Sequence, residues 1–107
     1  MKKETRIGQK IRKQMQTIYG TVLHKVHGGA YGETAASDYY GTLPGGRAIY
    51  VELKTPETIN TWNLRRRMQH AWLLREKALG AFTATVCSWE DLQGLLNAEH
   101  IYPHMKR

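Results

Sequence analysis

Residues 50–54, Tyr-Val-Glu-Leu-Lys, decide the fold of this chain, because they alternate in the way a half-buried β-strand does. A strand's period of two turns Glu52 and Lys54 to the same face. Val51 and Leu53 then point to the opposite face, where we expect the core. The stretch therefore predicts a strand that carries an acid and a base side by side on its polar face.

A β-hairpin is predicted around this strand. Residues 37–42 read as its partner strand, and the Pro-Gly-Gly sequence at 44–46 supplies the turn. Antiparallel pairing across that turn places Asp38 opposite Glu52, and two carboxylates at roughly 5 Å between Cβ atoms repel each other. A divalent cation between them reverses the sign of that interaction. Since hard oxygen ligands suit Mg²⁺ or Mn²⁺, the hairpin predicts a metal site.

The rest of the chain predicts an α/β fold, with a mixed sheet flanked by helices in the order α-β-β-β-α-β-α. The predicted elements are a helix over 4–19 that ends at Gly20, a strand over 21–27, the hairpin over 37–54, a helix over 61–79, a strand over 81–87 and a last helix capped by Ser88. One domain, 1–107, is expected at this length, with a core over about 4–96 and a tail over 97–107.

Two helices carry predicted apolar patterns. The first has a stripe at the spacing of one helical face, formed by Ile7, Ile11, Met15 and Ile18. In the second, the apolar residues lie roughly along one side: Leu64, Met68, Ala71, Trp72 and Leu79.

Composition narrows the class of protein. The chain carries 16 Lys and Arg against 9 Asp and Glu, a formal charge of +7, which favours a polyanionic partner, most simply nucleic acid. The single cysteine, Cys87, excludes an internal disulfide and fits a reducing compartment. No signal sequence is evident, and no run approaches the ~20 apolar residues that span a bilayer. We therefore expect a soluble, intracellular protein with no membrane partner.

Two further charged residues are candidates for the same site. Glu4 lies within about 60° of the apolar stripe of its helix, and an acid on the core-facing side is unusual unless it is paired or binds a cation. The alternative is a first-turn acid that interacts with the helix dipole. Lys54 can hold and orient a water beside metal-bound carboxylates. Its alternative is an ordinary exposed pair with Glu52.

Basic residues surround these candidates. Arg65, Arg66 and Arg67 are consecutive, so on a helix they span about 200° and cannot all face one ligand. One or two can contact phosphates, and the alternative for each is a solvated helix face. Lys10 belongs to a second basic area, in the first helix, next to Glu4.

Aromatic residues offer a weaker signal for nucleic acid. We interpret three tryptophans as core or interface residues rather than as platforms for base stacking: Trp62, Trp72 and Trp89. Three tyrosines near the predicted site could stack on unpaired bases, although a structural role is at least as well supported: Tyr31, Tyr39 and Tyr40.

Taken together, Asp38 and the Glu52-Leu53-Lys54 tripeptide resemble the PD-(D/E)XK nuclease signature. With Glu4 in the first helix and Gln69 in the second, residues 4–96 are similar to a stand-alone VRR-NUC domain, the virus-type replication and repair nuclease module. The resemblance implies a restriction-endonuclease-like core and a Mg²⁺ or Mn²⁺ site formed by Glu4, Asp38, Glu52 and the Leu53 carbonyl. It also implies that Lys54 handles the attacking water and that Gln69 lies nearby.

The resemblance implies a metal-dependent, structure-selective DNA endonuclease, acting on branched DNA such as four-way junctions during replication, recombination or repair. We expect it in the cytoplasm of a bacterium or of a phage-infected host cell. A 107-residue domain offers little surface for such a substrate, so a homodimer is expected. The alternatives are a non-catalytic basic DNA-binding or assembly module and an RNA-directed nuclease of the same superfamily.

Overall fold

The computed structural model describes residues 3–26 and 37–103. Its elements are α1 (Lys3–Gln14), a π-helical turn (Met15–Tyr19), β1 (His24–Lys25), β2 (Tyr39–Thr42), β3 (Ala48–Leu53), α2 (Leu64–Ala78), β4 (Phe82–Val86) and α3 (Trp89–Ala98). This is the predicted order of helices and strands. Within these residues, no helix combines the length and the apolar character that crossing a bilayer requires.

The four strands form one mixed sheet in the order β1-β2-β3-β4. β2 pairs antiparallel with both β1 and β3, whereas β4 runs parallel to β3. A parallel neighbour requires a crossover, and α2 supplies it. The predicted α/β fold with a mixed sheet is confirmed.

The hairpin has the predicted register. Tyr39 pairs with Val51, so Asp38, one residue before β2, lies opposite Glu52 when the same register is continued. The turn depends on Gly45 and Gly46, whose φ angles of 95° and 97° lie in the left-handed region that favours glycine.

The core lies between the sheet and helices α1 and α3. In β3, Ile49 and Val51 point into it, as the period of two predicts, and both are fully buried. The predicted stripe of α1 packs on the same side, with Ile11 and Met15 fully buried. The π-helical turn then ends at Gly20 with φ 71°, at the predicted position.

Helix α2 covers part of the other face of the sheet and differs from the prediction in two respects. It begins at Leu64 rather than at 61, because Asn63 caps it by accepting a hydrogen bond from the Arg66 backbone N–H. The side predicted to be apolar faces outward, since Leu64 and Leu79 are 74% and 78% exposed. The buried side instead carries two polar residues, Arg66 and Gln69, which line a cavity.

Two smaller differences concern the ends of elements. The strand predicted over 21–27 is limited to β1 within the described residues, and its last predicted residue lies outside them. The last helix begins as predicted: the Ser88 hydroxyl accepts a hydrogen bond from the Asp91 N–H. The Asp91 carboxylate reaches back to the Cys87 N–H, one residue before the cap.

Candidate functional site

A cavity of about 320 Å³ opens at the carboxyl end of β3, between the first turns of α1 and α2. Its walls combine three carboxylates, three cations and several neutral polar side chains. The lining residues are Glu4, Asp38, Glu52, Leu53, Lys54, Thr58, Thr61, Asn63, Arg65, Arg66 and Gln69. The residues predicted for the metal and for catalysis, from the hairpin, α1 and α2, therefore line one cavity.

Asp38 is fixed by the backbone of the strand beside it. Its Oδ2 atom accepts a hydrogen bond of 2.8 Å from the Leu53 N–H. Its own carbonyl accepts a hydrogen bond of 2.8 Å from the Val26 N–H, which ties the residue to the β1 side as well. These two hydrogen bonds fix the carboxylate at the open end of the hairpin.

Glu52 is a buried acid, and only one of its two carboxylate oxygens has a partner among the described residues. Only 2% of the residue is exposed, and its Oε2 atom lies 3.2 Å from the Lys54 Nζ. Its Oε1 atom is buried and has no hydrogen-bond partner among the described residues. Burial, reinforced by the charge of Asp38, raises the pKa of Glu52 to about 7, although the neighbouring Lys54 ammonium opposes that rise.

Gln69 also lines the cavity and carries a second buried oxygen that lacks a hydrogen-bond partner among the described residues. It projects from α2, the helix on the Glu52 side of the sheet, and is only 3% exposed. Its Oε1 atom is buried and unpartnered among the described residues, like Oε1 of Glu52. Buried acceptors without a donor cost free energy, so each of these oxygens requires a partner that an ion, a water or another ligand can supply.

Glu4 and Leu53 line the cavity in different ways. Glu4 reaches the cavity from α1, on the opposite face of the sheet, and is exposed rather than packed towards the core. Leu53 lines the cavity while its side chain is buried in the core, so it contributes backbone to the site, and its N–H is the donor to Asp38. Across residues 3–26 and 37–103, no three His, Cys, Asp or Glu side chains are grouped closely enough to hold an ion together.

The oxygen atoms of this cavity fit a hard divalent cation. Asp38 and Glu52 supply carboxylates, and Gln69 supplies an amide oxygen that lacks a donor. Mg²⁺ keeps several of its waters and is typically bound by one or two carboxylates plus substrate phosphates, so a third close carboxylate is not required. The raised pKa of Glu52 also indicates that its negative charge lacks a sufficient counter-charge in the protein alone.

The four predicted phosphate-binding residues occupy different environments. Arg65 lines the cavity and is exposed. Arg66 lines it too but is only 7% exposed, because its Nη1 donates to the Ile59 carbonyl at 3.0 Å. Arg67 is exposed and does not line the cavity, and Lys10 forms an exposed ion pair with Glu90 at 3.3 Å.

The loop over 55–63 contributes residues that the sequence did not single out. Thr58, Thr61 and Asn63 line the cavity. The loop is held at its start by the Thr55 N–H, which donates to the Thr58 hydroxyl at 3.0 Å. A signal existed in the sequence, since Thr55-Pro56 ends the strand and Asn63 is a good helix cap, but the predicted helix began too early to use it.

The predicted aromatic residues also separate by environment. Trp89 is 5% exposed and packs on Tyr19, in the predicted core position. Tyr39 is buried as well, whereas Tyr40 is exposed beside His24. Trp62 is 45% exposed, so of its two predicted roles, core or interface, only the interface stays a prediction. Tyr31 lies outside the described residues.

Comparisons with known proteins agree with this architecture. No protein-family model matches the sequence, and no curated protein matches it. A solved structure described as a VRR_NUC domain matches with a TM-score of 0.69 and 24% sequence identity, over 95% of this chain and 100% of that one. The predicted resemblance is confirmed at the level of the fold: this chain has the mixed α/β fold of that VRR_NUC domain.

Proposed function

We propose that this chain is a Mg²⁺- or Mn²⁺-dependent, structure-selective DNA endonuclease that hydrolyses phosphodiester bonds in branched DNA such as four-way junctions. One observation carries the proposal: Glu52 and Gln69, each with a buried oxygen that has no partner among the described residues, share a cavity with Asp38, Lys54 and Arg65. An acidic pocket with a neighbouring ammonium and a guanidinium suits a phosphodiester and a cation together. The likeness of the fold to a VRR_NUC domain supports the same class of chemistry.

The metal would be held by Asp38, Glu52 and the Leu53 carbonyl, with Glu4 joining from α1. When bound, the ion would polarise the scissile phosphate and lower the pKa of a bound water. Lys54 would hold and orient the attacking water, because its Nζ lies 3.2 Å from Glu52 at the edge of the site.

The basic residues would position the substrate rather than read its sequence. Arg65 is the candidate for a phosphate next to the site, because it is exposed on the cavity wall. Arg67 and Lys10 lie farther from the cavity and would contact more distant phosphates. The loop over 55–63 would lie beside the DNA strand where that strand enters the cavity.

A homodimer would present two such sites to a branched substrate. Exposed apolar side chains at the two ends of α2 support an interface: Leu64 begins the helix, Leu79 follows its last residue, and these two are the most exposed large hydrophobic residues among those described. We place this dimer in the cytoplasm of a bacterium or of a phage-infected host cell, in replication, recombination or repair.

The test is a cleavage assay with labelled linear, flap, single-stranded and four-way DNA, each in Mg²⁺, Mn²⁺ or chelator. We expect cutting of branched substrates only with a divalent ion. Glu52→Gln and Lys54→Ala should each lower the rate by at least about 100-fold, because each removes a group that acts directly at the site. Both variants should still bind DNA.

A matched control is available in the exposed ion pair between Lys10 and Glu90. Glu90→Gln removes an acid that lies outside the cavity, so it should cut at the wild-type rate. Wild-type activity in Glu52→Gln, or DNA binding without cleavage under every metal condition, would overturn the proposal. Cleavage confined to RNA strands in the same substrates would redirect it to the RNA-directed alternative.

A further inference from the structure

Trp62 is a large exposed aromatic side chain at the rim of the candidate site. It lies between Thr61 and Asn63, which both line the cavity, and 45% of its surface is exposed. It comes directly before the cap of α2, so both neighbouring segments of the backbone are fixed. A single exposed aromatic side chain is common on protein surfaces, so it is the position next to the cavity that makes Trp62 a candidate for ligand contact.

The indole ring is held rigidly from the α2 side. The guanidinium of Arg66 lies over the ring, 4.2 Å from its centroid. That guanidinium is itself fixed by its hydrogen bond to the Ile59 carbonyl. His70, one helical turn farther along, meets the ring at 5.3 Å and nearly perpendicular, at 88°. Side chains of α2 therefore support the indole, and 45% of the residue remains exposed to a ligand.

We propose that Trp62 stacks on an unpaired nucleobase next to the bond that is cut, an assignment that rests on the proposed function. A base inside a duplex has both faces covered by its neighbours, so only a base freed at a branch point or flap can use the ring. Stacking on an aromatic side chain tolerates any base, because every base offers a π-face. The Arg66 cation beneath the ring strengthens the stack and adds positive charge near the phosphates.

This arrangement gives the site a means of selecting DNA shape without reading sequence. Arg65, three residues after Trp62, lines the cavity and is available to a phosphate. A single nucleotide could then place its base on the indole ring while its phosphate lies at the cavity. Trp62 is a binding residue in this account, since it does not line the cavity in which the reaction would occur.

The test measures binding without cleavage, so that it stands even if the chain cuts nothing. Fluorescently labelled oligothymidylate and a duplex of the same length are titrated with protein in chelator, and affinity is read from anisotropy. We expect Trp62→Ala to bind the oligothymidylate at least about fivefold more weakly, while its affinity for the duplex changes by less than about twofold. Trp62→Phe keeps an aromatic face and should recover most of the loss.

Tyr102 provides a matched control, because it is 58% exposed, contacts a histidine edge-on and does not line the cavity. Tyr102→Ala should bind both probes like the wild type. Equal losses on both probes in Trp62→Ala, or unchanged binding of the oligothymidylate, would overturn the proposal. A change from dimer to monomer in Trp62→Ala would also overturn it and assign the ring to a protein interface.

Discussion

At the scale of single residues, Glu52 is distinctive because its carboxylate is buried with too few partners among the described residues. It is almost fully buried, lies next to Asp38 and has a single cation, Lys54, as its partner. Burying an acid without enough compensation opposes folding. Residues that break local rules in this way are concentrated at functional sites, where a ligand supplies the missing interaction.

The metal-free protein should consequently lose stability as the pH rises. The pKa of Glu52 is raised from its ordinary 4.5 to about 7 in the folded state, mainly by burial. Between those values the folded state binds more protons than the unfolded state, so the free energy of unfolding falls as pH increases. Glu52→Gln removes this dependence and should be more stable than the wild type near pH 8, by up to about 3 kcal/mol, with little difference near pH 5.

Urea denaturation in chelator at both pH values measures this effect. Glu90→Gln serves as the control, because Glu90 is exposed and should give no gain near pH 8. If Glu52→Gln were less stable than the wild type near pH 8, the ionised carboxylate would be favourable in the fold and the argument would be wrong.

The register of the hairpin could be predicted from the sequence. A Gly-Gly turn and a period of two pair Tyr39 with Val51, and the same register continued by one residue places Asp38 opposite Glu52. Sequence reasoning could not separate Arg65 from Arg66, since the burial of Arg66 depends on the Ile59 carbonyl and on Trp62, which approach it only in the folded loop.

At the scale of secondary-structure elements, the position of α1 decides where Glu4 lies. Gly8 allows this helix to approach β2 and β3 closely: a Cβ at residue 8 would collide with the hydroxyl of Tyr39, which is buried, and would crowd Leu53. The helix that carries Glu4 is therefore seated against the strands that carry Asp38 and Glu52.

Gly8→Ala should displace α1 and disturb the site at a distance. We expect a loss of about 1–3 kcal/mol in stability from overpacking and a reduced cleavage rate, because Glu4 moves away from the other carboxylates. Gly94→Ala is the matched control, since Gly94 is also inside a helix and a Cβ there meets nothing within 4 Å. It should stabilise by up to about 1 kcal/mol, as an exposed helical alanine does.

Chemical denaturation measures the stability of Gly8→Ala and Gly94→Ala, and the cleavage assay measures their activity. Equal gains in stability for Gly8→Ala and Gly94→Ala would mean that α1 does not depend on the close approach, and the account of Glu4 would then fail.

Elements differ in how far their pattern predicts them. Buried residues alternate with partly buried ones along most of β3 and all of β4, so the existence of these strands and their order along the chain follow from the sequence. Helix α2 misleads because its most apolar side faces outward and its buried side carries Arg66 and Gln69. A periodicity argument assigns the apolar side to the core, and only the cavity reverses that assignment.

At the scale of the whole molecule, the exposed apolar surface of α2 predicts self-association. We expect wild-type protein to sediment as a dimer at micromolar concentration. Leu64→Glu places a charge on a residue that is 74% exposed, so it should give folded monomers. Val22→Glu is the control, because Val22 is 50% exposed next to β1 and should leave the dimer intact.

Sedimentation velocity on the three proteins decides between the outcomes. A wild-type monomer at these concentrations, or a dimer that persists in Leu64→Glu, would remove α2 from the interface and with it the paired arrangement of sites.

We expect Asp38 and Glu52 to hold one divalent cation in the cavity at the end of β3. Titration of the protein with Mn²⁺ near pH 8, with free Mn²⁺ followed by electron paramagnetic resonance, measures this binding. The wild type and Glu90→Gln should each show one tight site, and Asp38→Asn and Glu52→Gln should each lose it. Undiminished Mn²⁺ binding in both cavity variants would mean that these carboxylates do not hold the ion.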